Sequence, residues 1–288
     1  MGEVKTWVSE MKNDCLQHGS LDYKLYRYGR SKTLFRGPRP DFSSAYNVFL
    51  GSSETYGKFV PRPYPDLLQE ELGVVSANFS ALNAGVESYL RDPSVLLACA
   101  DAAVTVLAVA GAHNVSNRYY MVHPRHNDRF VRASDSLHIL YRQVEFTDIH
   151  YTRHLLNTLR RVDETSFALV VEELRAAWTA RMKSLIEMIE GKTVLLWISD
   201  HAPGDVLSEG PVSAPGQEPL FVNQEMVDSL SPLVTKVVEC IVPQDPDMSG
   251  TEGMVFLPCE RRAAVALPGP VVHAQVARVL APVLQSLL

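Results

Sequence analysis

Asn47-Val48-Phe49-Leu50-Gly51-Ser52-Ser53-Glu54-Thr55-Tyr56-Gly57 is the stretch that decides how this chain folds. Val48, Phe49 and Leu50 form a short apolar run, broken at once by Gly51, two hydroxyl residues and Gly57. That pattern reads as a buried strand ending in a tight turn. In a parallel α/β sheet, ligands sit outside the carboxyl ends of the strands, so Ser53 projects into the usual site position. A glycine ahead of it lets the backbone bend sharply, and a helix starting beside it aims N–H groups at any anion that forms there. Both features suit an acyl-transfer nucleophile, and both suit an ordinary helix N-cap serine.

Working outward from this turn, strand, loop and helix repeat. Tyr64–Leu72 is amphipathic and stops at Gly73. Val74–Ser80 is a second strand, followed by the loop Ala81–Ser88 and a helix near Val95–Ala102. Val104–Ala110, Thr193–Ser199 and Lys236–Val242 supply three more strands, and Val271–Leu288 is a closing amphipathic helix. Strands separated by helices predict a three-layer, doubly wound α/β fold of about five parallel strands. More than one crossover's worth of chain separates the third and fourth strands, so a helical insertion is expected over about 116–191, with helices at 131–143 and 148–162. Phe167, Val170, Val171, Leu174, Trp178, Met182, Leu185, Ile186 and Ile189 then keep a spacing of three or four. With Asp163 as cap and Gly191 as stop, they predict one long helix.

Residues 1–46 read as a polar arm outside this 47–288 domain. Between Ser20 and Arg39, Lys24, Arg27, Arg30, Lys32, Arg36 and Arg39 alternate with Tyr23, Tyr26, Tyr28 and Phe35. Such a set either stacks and pairs with a sugar or anionic polymer, or forms a solvated arm folded over the domain.

With 288 residues, 46% of them apolar, the chain can bury a full core. A formal charge of −6 argues against a general nucleic-acid binder. Cys15, Cys99, Cys240 and Cys259 are widely spaced and form no CxxC pair, so reduced thiols are expected and no zinc knuckle. The amino-terminal residues lack an apolar leader and no long apolar run follows, which places the chain in the cytoplasm, away from membranes.

Compared as a set, the strand ends carry Ser53, then Asn83-Ala84-Gly85, then Gly111-Ala112-His113-Asn114, with His273 in the last helix. A serine, a glycine, an asparagine and a histidine in that order resemble the SGNH, or GDSL-type, hydrolases, over roughly 47–115 and 265–288. Gly51-Ser52-Ser53 followed by Gly57 fits that family's first block, with Ser52 where an aspartate usually stands. The resemblance implies a flavodoxin-like sheet and a serine esterase, deacylase or O-acyltransferase. Ser53 would attack an ester, His273 would act as general base, and the N–H groups of Ser53 and Gly85 with the Asn114 amide would form the oxyanion hole. The chain departs from the pattern at Pro270, where the family has its aspartate three residues before the histidine, and at Val115, where it has an aspartate after the asparagine. Asp245, Asp247 or Glu260 could supply the carboxylate, or the site could run as a dyad. The missing aspartate also fits an SGNH-like domain that no longer catalyses and serves as a polysaccharide-binding or assembly module.

A second constellation, 113–129, is dense in donors and either serves the fold or suits a glycan or small anionic substrate: Asn117, Arg118, His123, Arg125, Asn127 and Arg129, with Glu54 on the serine turn. His150 and His154 share a helix face but lack a metalloprotease glutamate pattern, so no metal or other cofactor is expected. Asp200 and His201 diverge at the fourth strand's end, which leaves them unpaired with one another and makes His201 a reserve base that reaches the cleft. Val206–Pro219, rich in Gly, Pro and Ser, reads as a surface loop.

Overall fold

A computed structural model describes residues 21–205, 218–243 and 250–288. Asp245, Asp247, Cys15 and nearly all of the Val206–Pro219 loop lie outside the described residues.

The first strand, β1 (Tyr46–Leu50), is wholly buried and runs into α1 (Ser53–Tyr56). Next come α2 (Tyr64–Leu72), β2 (Val75–Asn78), α3 (Val86–Leu90), α4 (Pro93–Ala100) and β3 (Val104–Ala108). The insertion contributes β4 (Tyr120–Val122), β5 (Phe130–Ala133), α5 (Asp135–Leu140) and α6 (Thr152–Val162), and leads into α7 (Glu164–Met188). The chain then returns through β6 (Thr193–Ser199), α8 (Gln224–Leu230) and β7 (Lys236–Ile241), and ends in α9 (Arg261–Val265) and α10 (Pro270–Leu287). β1, β2, β3, β6 and β7 form one parallel sheet in the order β2-β1-β3-β6-β7, a doubly wound α/β fold.

Period-two alternation sends successive side chains to opposite faces of the sheet. Val48, Leu50, Leu107, Leu195 and Trp197 pack with Trp178, Met182 and Leu185 of α7 on one side. Phe49, Val106, Val194 and Leu196 pack with Tyr64 and Leu68 of α2 and with Val276, Leu280 and Leu284 of α10 on the other. The length of α7 has a cause in packing. Its carboxyl-terminal half covers the sheet, while Phe167, Val170 and Leu174 near its start join Tyr120, Phe130, Leu137, Leu155 and Leu159 in a separate core inside the insertion. Asp163 caps the helix, its carboxylate accepting the N–H groups of Thr165 and Ser166 at 3.0 and 3.1 Å.

The insertion differs from the helical expectation. Residues 130–133 pair antiparallel with 120–122, and Ser134 starts a shorter helix by accepting the Leu137 N–H at 3.3 Å. Period two over Phe130–Ala133 and period 3.6 after Ser134 blend into one apolar stretch when read as a string. Helix α6 begins at Thr152, because Tyr151 is held extended by a bridge to Arg129. His150 therefore lies before the helix and does not share a face with His154.

The described part of the arm, from residue 21, is less solvated than its composition suggests. Phe35 is buried and meets Phe79 edge to face, and Tyr28 and Phe42 pack beside them. The buried Arg36 guanidinium donates to the carbonyls of Tyr56, Gly57, Val60 and Pro61 at 3.2, 2.7, 2.9 and 2.8 Å. An arginine here fastens the segment that follows the serine turn.

Candidate active site

The crossover from β1 to β2 runs one way along the sheet and the later strands run the other, so a crevice opens at the carboxyl ends of β1 and β3. Ser53 stands at its β1 side. The Gly51 N–H donates to the Tyr89 hydroxyl at 3.1 Å and the Gly51 carbonyl accepts that hydroxyl's proton, which pins the turn from below. Gly57 closes α1 with φ +69°, a left-handed conformation that glycine adopts without Cβ strain.

The Ser53 hydroxyl is 30 residues from both of its partners, which belong to one side chain and its own backbone. Its Oγ accepts the Asn83 N–H at 3.0 Å and donates to Asn83 Oδ1 at 3.2 Å. Asn83, itself at φ +54°, passes the chain on by donating from Nδ2 to Asp128 Oδ2 at 3.1 Å. Burial raises the Asp128 carboxyl above its ordinary range.

His273 lies elsewhere. It is 2% exposed, its ring stacks on Tyr64 at 5.8 Å between centroids, and its Nδ1 accepts the Tyr64 N–H at 3.1 Å. An imidazole that accepts at Nδ1 while neutral carries its proton on Nε2, and that Nε2 is buried without a partner among the described residues. The one lone pair a general base would use is thus spent on a backbone amide. Burial first, and the Arg36 charge second, lower its pKa to about 3. His273 serves the packing of α10 on α2 and makes no hydrogen bond to Ser53.

The expected oxyanion donors divide. The Gly85 N–H donates to Asn127 Oδ1 at 2.7 Å, so it is already occupied. Gly85 is required for space: a Cβ there would stand 2.3 Å from the Asn114 carbonyl oxygen. Asn114 is buried and tied to the start of α6. Its Oδ1 accepts the Thr152 hydroxyl at 2.8 Å, which fixes the amide plane, and its Nδ2 makes no hydrogen bond among the described residues.

Within 113–129, several polar groups hold the fold together. Asn127 is fully buried and clamps Gly85, Ser88 and the His123 carbonyl. Asn117 accepts the Tyr119 and Tyr120 N–H groups, and His123 Nδ1 accepts those of Arg125 and His126. Arg118 pairs with Glu173 and lies over the Tyr119 ring. Arg125 and Arg129 stay exposed. Glu54 accepts the Ser52 N–H at 3.0 Å, and burial raises its carboxyl pKa. Glu260 accepts the Leu257 N–H at 3.2 Å within its own turn.

The expectation that Asp200 and His201 diverge is overturned. His201 Nδ1 lies 2.9 Å from Asp200 Oδ1 and 2.8 Å from Ser199 Oγ. Strict alternation ends with the strand at Ser199, and the bend that follows swings both side chains to one side. Among the described residues no cluster of His, Cys, Asp and Glu has the makings of a metal site.

Thr152 was not legible as the partner of Asn114, nor were Asn83 and Asp128 legible as a hydrogen-bonded chain running from Ser53. Asn83-Ala84-Gly85 carries a turn pattern, but nothing in the string ties Thr152 to Asn114 across 38 positions.

The domain family described as a domain of unknown function, DUF6473, matches residues 11–288. A search of curated proteins finds no match by sequence. Among solved structures, the chain is similar to a carbohydrate esterase family 2 enzyme with a carbohydrate-binding domain from Corynascus thermopiles (Myceliophthora fergusii), at 13% identity and TM-score 0.43, covering 88% of this chain and 70% of that one. It is similar also to the acetyl xylan esterase Est2A of Butyrivibrio proteoclasticus, at 11% identity and TM-score 0.43, covering 88% and 66%. A third is the psychrotrophic esterase EstA of Pseudoalteromonas sp., at 10% identity and TM-score 0.40, covering 84% and 100%.

Proposed function

This chain belongs to the DUF6473 family, and we propose that its cleft binds a substituted carbohydrate, as an SGNH-like module that does not hydrolyse what it holds. One observation carries this reading: the Ser53 hydroxyl bonds only to Asn83 among the described residues, and the imidazole once expected to activate it faces the interior. A serine hydroxyl is a weak nucleophile without an adjacent base. The Asn114 amide and the exposed Arg125 and Arg129 are donors suited to sugar hydroxyls and anionic substituents.

A second reading, an esterase or O-acyltransferase, is favoured by the Asp200–His201 pair. A carboxylate on Nδ1 fixes the tautomer whose Nε2 is a base, the role a third triad member plays. It requires His201 to close on Ser53 when substrate binds, since catalytic hydrogen bonds tighten in the complex.

A fluorophosphonate probe and an acetyl-ester turnover assay separate the two. The module predicts no labelling of Ser53, no turnover and glycan binding that survives Ser53→Ala. Labelling of Ser53 that is abolished by His201→Ala would reverse the order of the two readings.

A further inference from the structure

Helix α6 begins beside the cleft, and its N-cap residue Tyr151 provides no side-chain cap. Thr152, the first helical residue, holds the Asn114 amide; Arg153 is the next residue. The positive end of a helix and a guanidinium therefore share one corner of the site. An anion already sits there, because Arg153 pairs with the carboxylate of Glu218.

The same carboxylate faces the end of β3. A Cβ built on Gly111 would stand 2.7 Å from His113 Nδ1 and 2.9 Å from Glu218 Oε2, so the missing side chain is what admits both groups. His113 is 5% exposed and its buried Nδ1 has no hydrogen-bond partner among the described residues. The corner thus contains a ring nitrogen with no hydrogen-bond partner among the described residues, a cation and an internal carboxylate, and the residue before the cation, Thr152, holds the Asn114 amide.

Two roles compete for the Arg153–Glu218 pair. A structural tie would need to stabilise the fold, yet the two side chains are 37% and 50% exposed, and pairs open to water contribute little. Little is lost, by the same reasoning, when an incoming carboxylate takes the place of Glu218. The planar guanidinium accepts a two-oxygen planar anion best.

We propose that Arg153 is the anion receptor of the cleft, occupied by the Glu218 carboxylate in the free protein, and that the ligand is a uronic-acid-bearing saccharide whose carboxylate displaces Glu218. The ligand's hydroxyls then meet the Asn114 amide that Thr152 orients. This assignment rests on the carbohydrate reading above and narrows it to one class of sugar. No covalent step is involved.

Calorimetric titration of the full chain with an oligogalacturonate, the neutral galacto-oligosaccharide of equal length, acetate and sulfate tests it. Glu218→Gln removes the internal competitor and should tighten oligogalacturonate binding about fivefold, leaving the neutral sugar unchanged. Arg153→Gln should bind the charged and neutral sugars equally. Arg153→Lys, which keeps charge and loses the fork, should fall between it and the native chain. Unchanged or weaker oligogalacturonate binding in Glu218→Gln, or charge discrimination that survives Arg153→Gln, overturns the proposal. Sulfate binding tighter than acetate overturns the carboxylate assignment. If acetate binds Glu218→Gln but not Arg153→Gln while neither sugar binds, the receptor stands and the carbohydrate reading falls.

Discussion

His273 makes acid stability a direct test of where its imidazole points. In the folded chain its pKa is lowered from 6.5 to about 3, because burial disfavours the charged ring. In the unfolded chain it titrates near the ordinary value. Between these limits the unfolded state binds a proton that the folded state refuses, so the stability this residue permits is full above about pH 6.5 and is lost as pH falls toward 3. Each pH unit in that window is worth about 1.4 kcal/mol, which gives about 2 kcal/mol lost between pH 7 and pH 5. His273→Leu removes the titration and leaves the Tyr64 N–H unpaired, at a pH-independent cost of about 1–3 kcal/mol. Urea unfolding followed by circular dichroism at pH 7 and pH 5 should show the native chain losing about 2 kcal/mol more than the variant. His113, also buried with a lowered pKa, contributes alike to both chains and drops out of the difference. Equal losses in the two chains would refute the inward orientation and return His273 to the cleft as a candidate base.

Gly85→Ala should cost about 1–3 kcal/mol, since the new methyl meets the Asn114 carbonyl at 2.3 Å and the Asn127 amide oxygen at 3.0 Å; thermal melting unchanged from the native chain would refute that approach. Arg36→Gln leaves four carbonyls beside the serine turn without their shared donor and should cost about 3 kcal/mol in urea unfolding, whereas a loss within experimental error would show the arm to be dispensable.

The order and spacing of strands are local properties, and the sequence alone determined them. Apolar runs at 48–50, 104–108 and 193–199 have to be buried, and the three-to-four spacing after Asp163 has to form a helix, whatever surrounds them. Ser53 was placed at the mouth of the sheet by the same logic, because a turn after a buried strand has one place to go. Partnerships across loops are different. Whether the Gly85 N–H faces a ligand or Asn127, 42 positions away, whether His273 turns toward the crevice or onto Tyr64, and which residue steadies Asn114 depend on how α10, α6 and the insertion pack. A hydrogen bond between distant residues leaves no periodicity in a string, so only the tertiary structure decided that Ser53 bonds to Asn83 and that His273 accepts the Tyr64 N–H.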